Sequence, residues 1–589
     1  MLDPRIYRTG FVAVALAVVV VAFSLLDQQG PLTASLAPDA FNGQGAYSTM
    51  ASLARNNPSR RPGSTGDEDV ASFVSAKLRQ DGYQVDTHLF SARTVDGKRT
   101  LETVTGVRTG LSTGSIVVLS HRDSLGTPAT ADLSGTAVLL ELARVLAGET
   151  QHRTIILAST SGSAGQAGAS ELARTISGPL DAVISLGDLA GLRAHQPVLV
   201  PWSTGPRLAP PVLRNTLAAA LGAQAGLRPG GTSFGGQLAH LAFPLTLSEQ
   251  GPFGARGIPA VSLSLSGDRP PAANEATSTD RINTLGRAVL QTINALDGGP
   301  GVPAASSYLL YSGKVLPGWA IKLLVLVLML PVVLTIVDGF ARVRRRGHSV
   351  TLGLARVLAA CVPFLLAALV IVGARLVGAL DATPPGPVAV GEVPLHGAGV
   401  AVMAVAALVL LSSSWVMPRL VTALAGTPRR SGAEAGDPGR SIAVLMVLLL
   451  ATLALWLLNP FAALLIIPAL HLWLWLVDPE ARPHAVLSAL LLLVGVAPLV
   501  LVCLYWIGTQ GLAPVDALWH GTLLIAGGQI GLLAATAWSV ILGCLVSVVV
   551  LAVRIQRQPR PEDAPVTVRG PVSYAGPGSL GGTESALHR

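Results

Sequence analysis

Long apolar runs in two parts of the chain constrain its fold more than any other feature. Of the 589 residues, 50% are hydrophobic and 13% are charged. A membrane-spanning helix needs about 20 mostly apolar residues, and such runs lie near the amino terminus and repeatedly after residue 316. Between them, residues 31–300 mix glycine, proline, charged and alternating segments as globular domains do. The pattern predicts a membrane protein that carries one large globular domain.

The amino-terminal apolar run, residues 11–26, has two interpretations. Two arginines precede it, and small residues follow at 34–37, as in a cleaved signal peptide. However, the polar segment 27–29 ends the run without a cleavage motif beside it. We therefore predict that residues 1–30 form a retained transmembrane anchor.

The region 301–555 predicts a transmembrane module of seven spans, which with the anchor gives about eight in total. The last run is the least regular, because apolar sequence continues from 517 to 553 and leaves room for a re-entrant half-helix. The tail at 556–589 is rich in Pro, Gly and Ser, which predicts disorder. The seven predicted spans are 316–339, 353–379, 397–423, 441–458, 460–477, 485–507 and 526–553.

Arginine placement predicts the orientation of these spans. Arginines cluster in alternate short loops and after the last span, whereas the loop 381–396 has no Lys or Arg. Because basic short loops face the cytoplasm, we predict a multi-pass cell-membrane protein with both termini cytoplasmic and residues 31–300 extracytoplasmic. The net charge of +8 then reflects topology. We expect the lipid bilayer as a partner and no nucleic acid. The three cysteines all lie in predicted spans, so the globular domain has neither disulfide nor thiol nucleophile.

Buried-strand and helix patterns alternate along the globular domain. This alternation predicts an α/β fold in which a sheet with parallel strands is sandwiched by helices. Ligands of such sheets gather at the carboxyl ends of strands, where His121 and the loop after Ala158 emerge. The predicted elements are strands at 115–119, 154–158 and 182–186 and helices at 135–146 and 165–175.

Five ordered sequence blocks in this domain resemble one known family, the M28 zinc aminopeptidases. The resemblance covers roughly residues 45–297 and implies a zinc-exopeptidase-like mixed sheet. The blocks are SHRDS at 120–124, ADLSG at 131–135, TSGSAG at 160–165, SLGD at 185–188, and SEQGPF at 248–253 with GIPA at 257–260.

The resemblance also implies where the family's zinc ligands fall, and most of those positions cannot bind zinc. The family's general base falls on Gly162, which has no side chain to take a proton from water. Zinc binding needs deprotonated donors, and only His121 supplies one. We therefore predict a pseudoenzyme without a resident cofactor. The five ligand positions implied are His121, Thr130 or Ala131, Ser163, Gly187 and Ala276.

One alternative keeps a metal. If Asp132 and Asp188 shift by a residue or two, they form with His121 a single zinc site that still lacks a base. Without such partners, His121 and Asp123 are expected to pair and fix the loop after the strand. In either case the expected binding cleft contains, by the same resemblance, Asp123, Ser124, Ser163, Glu249 and Gln250.

The first functional prediction is a bacterial membrane protein whose M28-like domain binds a peptide, a lipid-linked ligand or a partner protein without catalysis. The second is a membrane-bound M28-type metallopeptidase with an altered zinc site. The third is a transporter subunit with a regulatory outer domain. The bacterial source is inferred from the Ala, Val, Leu, Gly and Arg bias with few lysines.

Overall fold

A computed structural model describes residues 4–34, 38–196, 198–380, 383–424 and 438–557. The predicted disordered tail, 556–589, lies almost entirely outside the described residues.

The chain begins with helix α1 (Pro4–Ser24) and the short strand β1 (Leu26–Asp27). An α/β domain follows, defined here as residues 43–298. Its helices are α2 (Gly43–Asn56), α3 (Thr65–Gln80), α4 (Ser134–Ala147), α5 (Ala167–Thr175), α6 (Pro211–Ala225), α7 (Phe234–Ala242), α8 (Gly251–Ala255) and α9 (Thr279–Gly298). Its strands are β2 (Gln84–Thr94), β3 (Gly97–Arg108), β4 (Ser115–His121), β5 (Thr154–Thr160), β6 (Leu180–Leu186), β7 (Leu199–Val200) and β8 (Ala260–Leu263).

These strands form one mixed sheet in the order β2-β3-β5-β4-β6-β8-β7. The four central strands β5, β4, β6 and β8 run parallel. The outer strands β2, β3 and β7 pair antiparallel with their neighbours. The carboxyl ends of β4, β5 and β6 therefore meet at one edge of the sheet. The strands predicted at 115–119, 154–158 and 182–186 are confirmed.

Helices cover both faces of the sheet, as predicted. Along β4, Ile116 and Val118 pack with the helices α2, α4, α6 and α9, whereas Val117 and Leu119 pack with α5 and α8 on the other face. This division follows from the twofold alternation of side chains along a strand. All four residues are fully buried, which explains why the sequence here is continuously apolar. The α/β sandwich is confirmed.

A small hairpin and a helical module, defined here as α10 to α18, complete the structure. The hairpin strands are β9 (Tyr308–Tyr311) and β10 (Lys314–Pro317). The module's helices are α10 (Gly318–Arg345), α11 (Val350–Leu376), α12 (Gly397–Leu424), α13 (Pro438–Leu458), α14 (Pro460–Leu464), α15 (Ile467–Leu476), α16 (Ala485–Gln510), α17 (Pro514–Gly527) and α18 (Leu532–Gln556). Within the described residues, six helices are long and apolar enough to cross a membrane, namely α10, α11, α12, α13, α16 and α18.

The span predicted at 460–477 differs from the structure, which divides it into α14 and α15. Asn459 caps α14 by accepting hydrogen bonds from the backbone N–H groups of Phe461 and Ala462. Pro468 follows at the start of α15. Because proline has no N–H to bond the carbonyl of Leu464, four residues earlier, the helix breaks between the two segments. An apolar count alone does not detect this break.

The span predicted at 526–553 is also corrected. It is helix α18, and α17 is a separate helix that ends at Gly527. The following Gly528 has a φ of +85°, which lies in the left-handed region that ends many helices. The separate α17 packs beside the loop between α11 and α12, where Trp519 donates its indole N–H to the carbonyl of Val393 at 2.8 Å.

A second, three-stranded sheet joins the two ends of the α/β domain. Strand β1 pairs antiparallel with β10, which pairs with β9. Asp27 and Lys314 lie opposite each other, and their side chains approach to 2.5 Å. Helices α1 and α10, which flank this sheet in sequence, pack against each other. The chain therefore leaves one apolar helix, forms the α/β domain, and returns beside the same helix.

Candidate functional site

The candidate site is centred on His121, the last residue of β4. Its ring lies between two carboxylates. Asp132 Oδ1 is 3.9 Å from Nε2, and Glu249 Oε2 is 3.7 Å from Nδ1. Both carboxylates are more than nine-tenths buried, whereas 17% of the His121 side chain is exposed. The imidazole thus faces one carboxylate at each nitrogen.

Local structure holds the two carboxylates in place. Asp132 belongs to a short 3-10 turn (Thr130–Leu133) that leads into α4, and its Oδ2 accepts a 2.5 Å hydrogen bond from the Ser124 hydroxyl. Glu249 precedes α8, and its Oε1 accepts a 2.5 Å hydrogen bond from the Thr160 hydroxyl at the end of β5. The other oxygen of each carboxylate has no hydrogen-bond partner. These two free oxygens are the ones that face His121.

The two carboxylates control the charge on the imidazole. Burial lowers the pKa of His121, but the attraction of Asp132 and Glu249 outweighs it, so the pKa stands well above the usual 6.5. The separations of 3.9 and 3.7 Å exceed hydrogen-bond length. The two carboxylates therefore favour the protonated form of His121 across these distances.

Asp123 was predicted to pair with His121. In the structure its carboxylate bonds Ser163 instead. Its carboxylate accepts hydrogen bonds from the Ser163 backbone N–H at 3.0 Å and from the Ser163 hydroxyl at 3.0 Å. Burial, followed by the negative charge of Asp67, raises the pKa of Asp123 to about 7. Asp123 thus fixes the loop after β5 to the loop after β4.

The Asp188 carboxylate accepts hydrogen bonds from three neighbouring protein groups. Its Oδ1 accepts from the backbone N–H groups of Ala190 and Gly191 at 3.0 and 2.8 Å. Its Oδ2 accepts from the Ser266 hydroxyl at 2.7 Å. Burial raises the pKa of Asp188 despite these bonds. Protein donors already engage both oxygens.

Gln250, expected in the cleft, faces the interior of the domain. Its amide donates to the carbonyl of Trp202 at 3.0 Å and to the hydroxyl of Thr246 at 3.1 Å. The side chain is fully buried. Of the predicted cleft residues, Ser124, Ser163 and Glu249 line the cavities described next, whereas Asp123 and Gln250 do not. The candidate metal residues His121, Asp132 and Asp188 also line them.

Two adjoining cavities meet at His121. The larger, of about 390 Å³, is lined by Asp132 and by the loop before α12. The smaller, of about 70 Å³, is lined by Asp188 and Glu249. His121, Ser163 and Glu392 line both. Glu392 belongs to the helical module and was not predicted, although it is the only acidic residue between 383 and 396.

The alternative prediction of a zinc ion at His121 depends on whether neighbouring ligands can reach the same ion. Zinc accepts about 2.0–2.2 Å bonds from nitrogen and oxygen ligands, and one ion can bind only one nitrogen of an imidazole. Asp132 and Glu249 face different nitrogens of His121, so no single ion collects all three. Within the described residues, no group of three or more His, Cys, Asp or Glu side chains is arranged to hold a metal. The residues present do not fit the family's metal.

The positions that the resemblance assigns to a ligand and to the base are closed by packing. A Cβ on Gly187 would lie 2.8 Å from the Cβ of Ser264. Gly162 has a φ of +80°, and a Cβ there would lie 2.8 Å from the Leu101 side chain and 2.9 Å from that of Ala167. Neither position accepts a carboxylate side chain without rearrangement of its neighbours.

Models of protein families and curated protein sequences gave no match to this chain. Solved structures do match. The zinc aminopeptidase BSAP from Bacillus subtilis is 14% identical, with 44% of this chain and 95% of that chain covered and a TM-score of 0.36. The aminopeptidase from Aneurinibacillus sp. strain AM-1 is 14% identical, with 45% and 96% covered and a TM-score of 0.37.

A glutaminyl cyclase from Porphyromonas gingivalis is also similar. It is 18% identical, with 43% of this chain and 98% of that chain covered and a TM-score of 0.33. At these identities the similarity concerns the fold alone. Each match covers nearly all of the solved chain and less than half of this one. The present chain also contains the long apolar helices.

Proposed function

We propose that this chain is a membrane protein whose α/β domain binds a ligand in the cleft at His121 and does not hydrolyse it by metal-activated water. The ligand classes we consider are a peptide, a lipid-linked molecule and a partner protein. We further propose that the domain lies on the extracytoplasmic side, which the arginine-rich loops between the helices support.

The observation that carries this proposal is the placement of one carboxylate at each nitrogen of His121. A metal-binding histidine is neutral and presents a free lone pair. Here two negative charges favour the protonated ring, which has no lone pair to offer. The arrangement supports an ion-paired imidazolium that shapes and charges a binding cleft.

The packing at Gly162 and Gly187 supports the same conclusion. Hydrolysis by an activated water needs a base within hydrogen-bond reach of that water. The backbone at Gly162 and the close neighbours of Gly187 leave no room for acidic side chains. Asp188, the nearest substitute in sequence, is held by three protein donors.

The test uses the full chain purified in detergent. Zinc content is measured after equilibration with zinc and desalting, together with hydrolysis of aminoacyl p-nitroanilides. We expect substoichiometric zinc, no zinc-dependent hydrolysis, and the same values for His121→Ala.

His152, which is exposed and remote from the cleft, provides the matched control His152→Ala for adventitious metal binding. One zinc ion per chain that is lost in His121→Ala but kept in His152→Ala, together with peptidase activity, would contradict the proposal and favour an altered metallopeptidase.

A further inference from the structure

One wall of the cleft, here called the cleft roof, is formed by a loop of the helical module. The loop between α11 and α12, residues 383–396, places Pro387 and Glu392 against the cavity at His121. Ala389, Gly391 and Glu392 line the larger cavity opposite Asp132. The cleft is therefore built jointly by the α/β domain and by a loop of the helical module.

Close packing holds this loop on the α/β domain. Gly165 has a φ of +87°, and a Cβ there would lie 2.4 Å from Pro384. A Cβ on Gly386 would lie 2.0 Å from the carbonyl oxygen of Gly165. The two backbones thus meet at glycines where no side chain fits. On the other side of the loop, Val388 and Val393 pack in one apolar cluster with Trp519 of α17.

Glu392 brings a carboxylate without a counter-ion. Its Oε2 accepts only a long hydrogen bond, 3.3 Å, from the Ala389 backbone N–H, and no ion pair joins it to any Lys, Arg or His of the described residues. Burial raises the pKa of Glu392 to about 7, and the negative charges of Asp132 and Asp123 add to that effect. The side chain thus lies where a positive charge would be favourable.

The carboxylates opposite Glu392 have unmet bonding capacity as well. Asp132 Oδ1 and Glu249 Oε2 are buried and have no hydrogen-bond partner, and leaving such an oxygen unpaired costs about 1–3 kcal/mol. His121 lies between them, beyond hydrogen-bond length from both. A ligand that carries N–H donors and a positive charge would satisfy these oxygens.

The arginines around the cleft do not supply the positive charge and N–H donors that these carboxylates lack. Arg61 lines the larger cavity, but it makes two hydrogen bonds to Asp96. Arg269 lines the smaller cavity from the exposed rim, with its guanidinium near Gly511. The buried Arg60 donates to backbone carbonyls, including those of Arg122 and Ala129. Among the described residues, none of these arginines forms an ion pair with Asp132, Glu249 or Glu392.

Apolar walls adjoin this acidic centre. Pro270 and Pro271 line both cavities, and Leu125, Ala389 and Pro387 complete the walls. An ammonium group on a short alkyl chain matches both features, because the alkyl chain contacts the walls while the charge reaches the carboxylates.

We propose that Glu392 of the helical module and Asp132 of the α/β domain together bind the primary ammonium group of an alkylammonium ligand. This inference rests on the proposed binding function of the cleft and adds the ligand class and the second module's binding residue. Because Glu392 lies in the loop between α11 and α12, a bound ligand would link these two helices to the α/β domain through the Glu392 side chain.

The experiment titrates n-butylammonium into the full chain in detergent and follows the shift in melting temperature, from which an apparent Kd is obtained. Neutral n-butanol and anionic butyrate are the matched probes. Binding should require the ammonium group. Glu392→Gln should weaken the Kd about tenfold to a hundredfold, as expected when one charged hydrogen-bond partner is lost.

Three further variants make the test specific. Asp132→Asn should weaken binding as Glu392→Gln does. Glu392→Asp, which keeps the charge, should retain part of the affinity and so shows that the loop is still in place. Glu68→Gln removes one carboxylate from an exposed site outside the cleft and should leave the Kd unchanged.

The outcomes are distinct. Equal affinity for n-butanol, or an unchanged Kd in Glu392→Gln, overturns the inference. If Asp132→Asn alone weakens binding, the binding function of the cleft stands while the role of Glu392 is refuted. Competition by N-acetyl-lysinamide or by phosphoethanolamine supports the inference and separates a lysine side chain from a lipid headgroup as the source of the ammonium group, whereas competition by neither overturns it.

Discussion

Replacing Glu392 by glutamine should stabilise the ligand-free protein at alkaline pH. Burial and the nearby carboxylates raise the pKa of Glu392 from its ordinary 4.5 to about 7. Because the folded state holds this proton more tightly than the unfolded state, stability falls as the pH rises through that window. At about 1.4 kcal/mol per pH unit, the penalty approaches about 3 kcal/mol at pH 8 and stays below about 1 kcal/mol at pH 5. Because Glu392 is only half-buried, solvent screening reduces the expected value at pH 8 to about 1–2 kcal/mol.

Glutamine has nearly the shape of protonated glutamate and removes this penalty at every pH. The melting temperature of Glu392→Gln should therefore exceed that of the parent by a few degrees at pH 8, taking roughly 2–4 °C per kcal/mol, and by much less at pH 5. Scans at one heating rate compare the two proteins, with Glu68→Gln as control. A shift that is equal at both pH values, or a lower melting temperature at pH 8, would refute the electrostatic reasoning.

Three other substitutions test the packing around the site. Arg122→Met breaks a fully buried pair in which Nε lies 2.9 Å from Asp67 Oδ1. We expect the free energy of unfolding to fall by about 3–5 kcal/mol. Denaturant unfolding measures this loss, with Arg144→Met at a half-exposed position as the control. Trp519→Ala removes a fully buried side chain under the cleft roof and should cost about 3–5 kcal/mol; an unchanged melting temperature would contradict this. Gly165→Val meets Pro384 and should expose the loop 383–396 to limited proteolysis, whereas the same digestion pattern as the parent would show that the loop does not depend on this contact.

The sequence predicted the central part of the sheet because burial on both faces leaves a plain signal. The apolar run at 115–119 and the helical periodicity at 135–146 match β4 and α4 within one or two residues. His121 was also predicted at a strand end. These features are local, so hydrophobic patterning suffices to identify them.

Contacts between distant segments were not predictable in the same way. Glu392 reaches the cleft only because glycines at 165 and 386 let two backbones meet, and no periodicity encodes that meeting. The division between α14 and α15 was missed for another reason. A proline near a helix end has little effect on mean hydropathy, although it removes the hydrogen bond that joins two turns.

The pairing of Leu26–Asp27 with Lys314–Val315 has a consequence for proteolytic shedding. A peptide bond cut between these two strands leaves both resulting fragments attached to apolar helices that contact each other. Release of the globular part would require cleavage on both flanks. The same pairing holds the two chain ends of the globular part side by side, so this part is joined to the apolar helices at two neighbouring points.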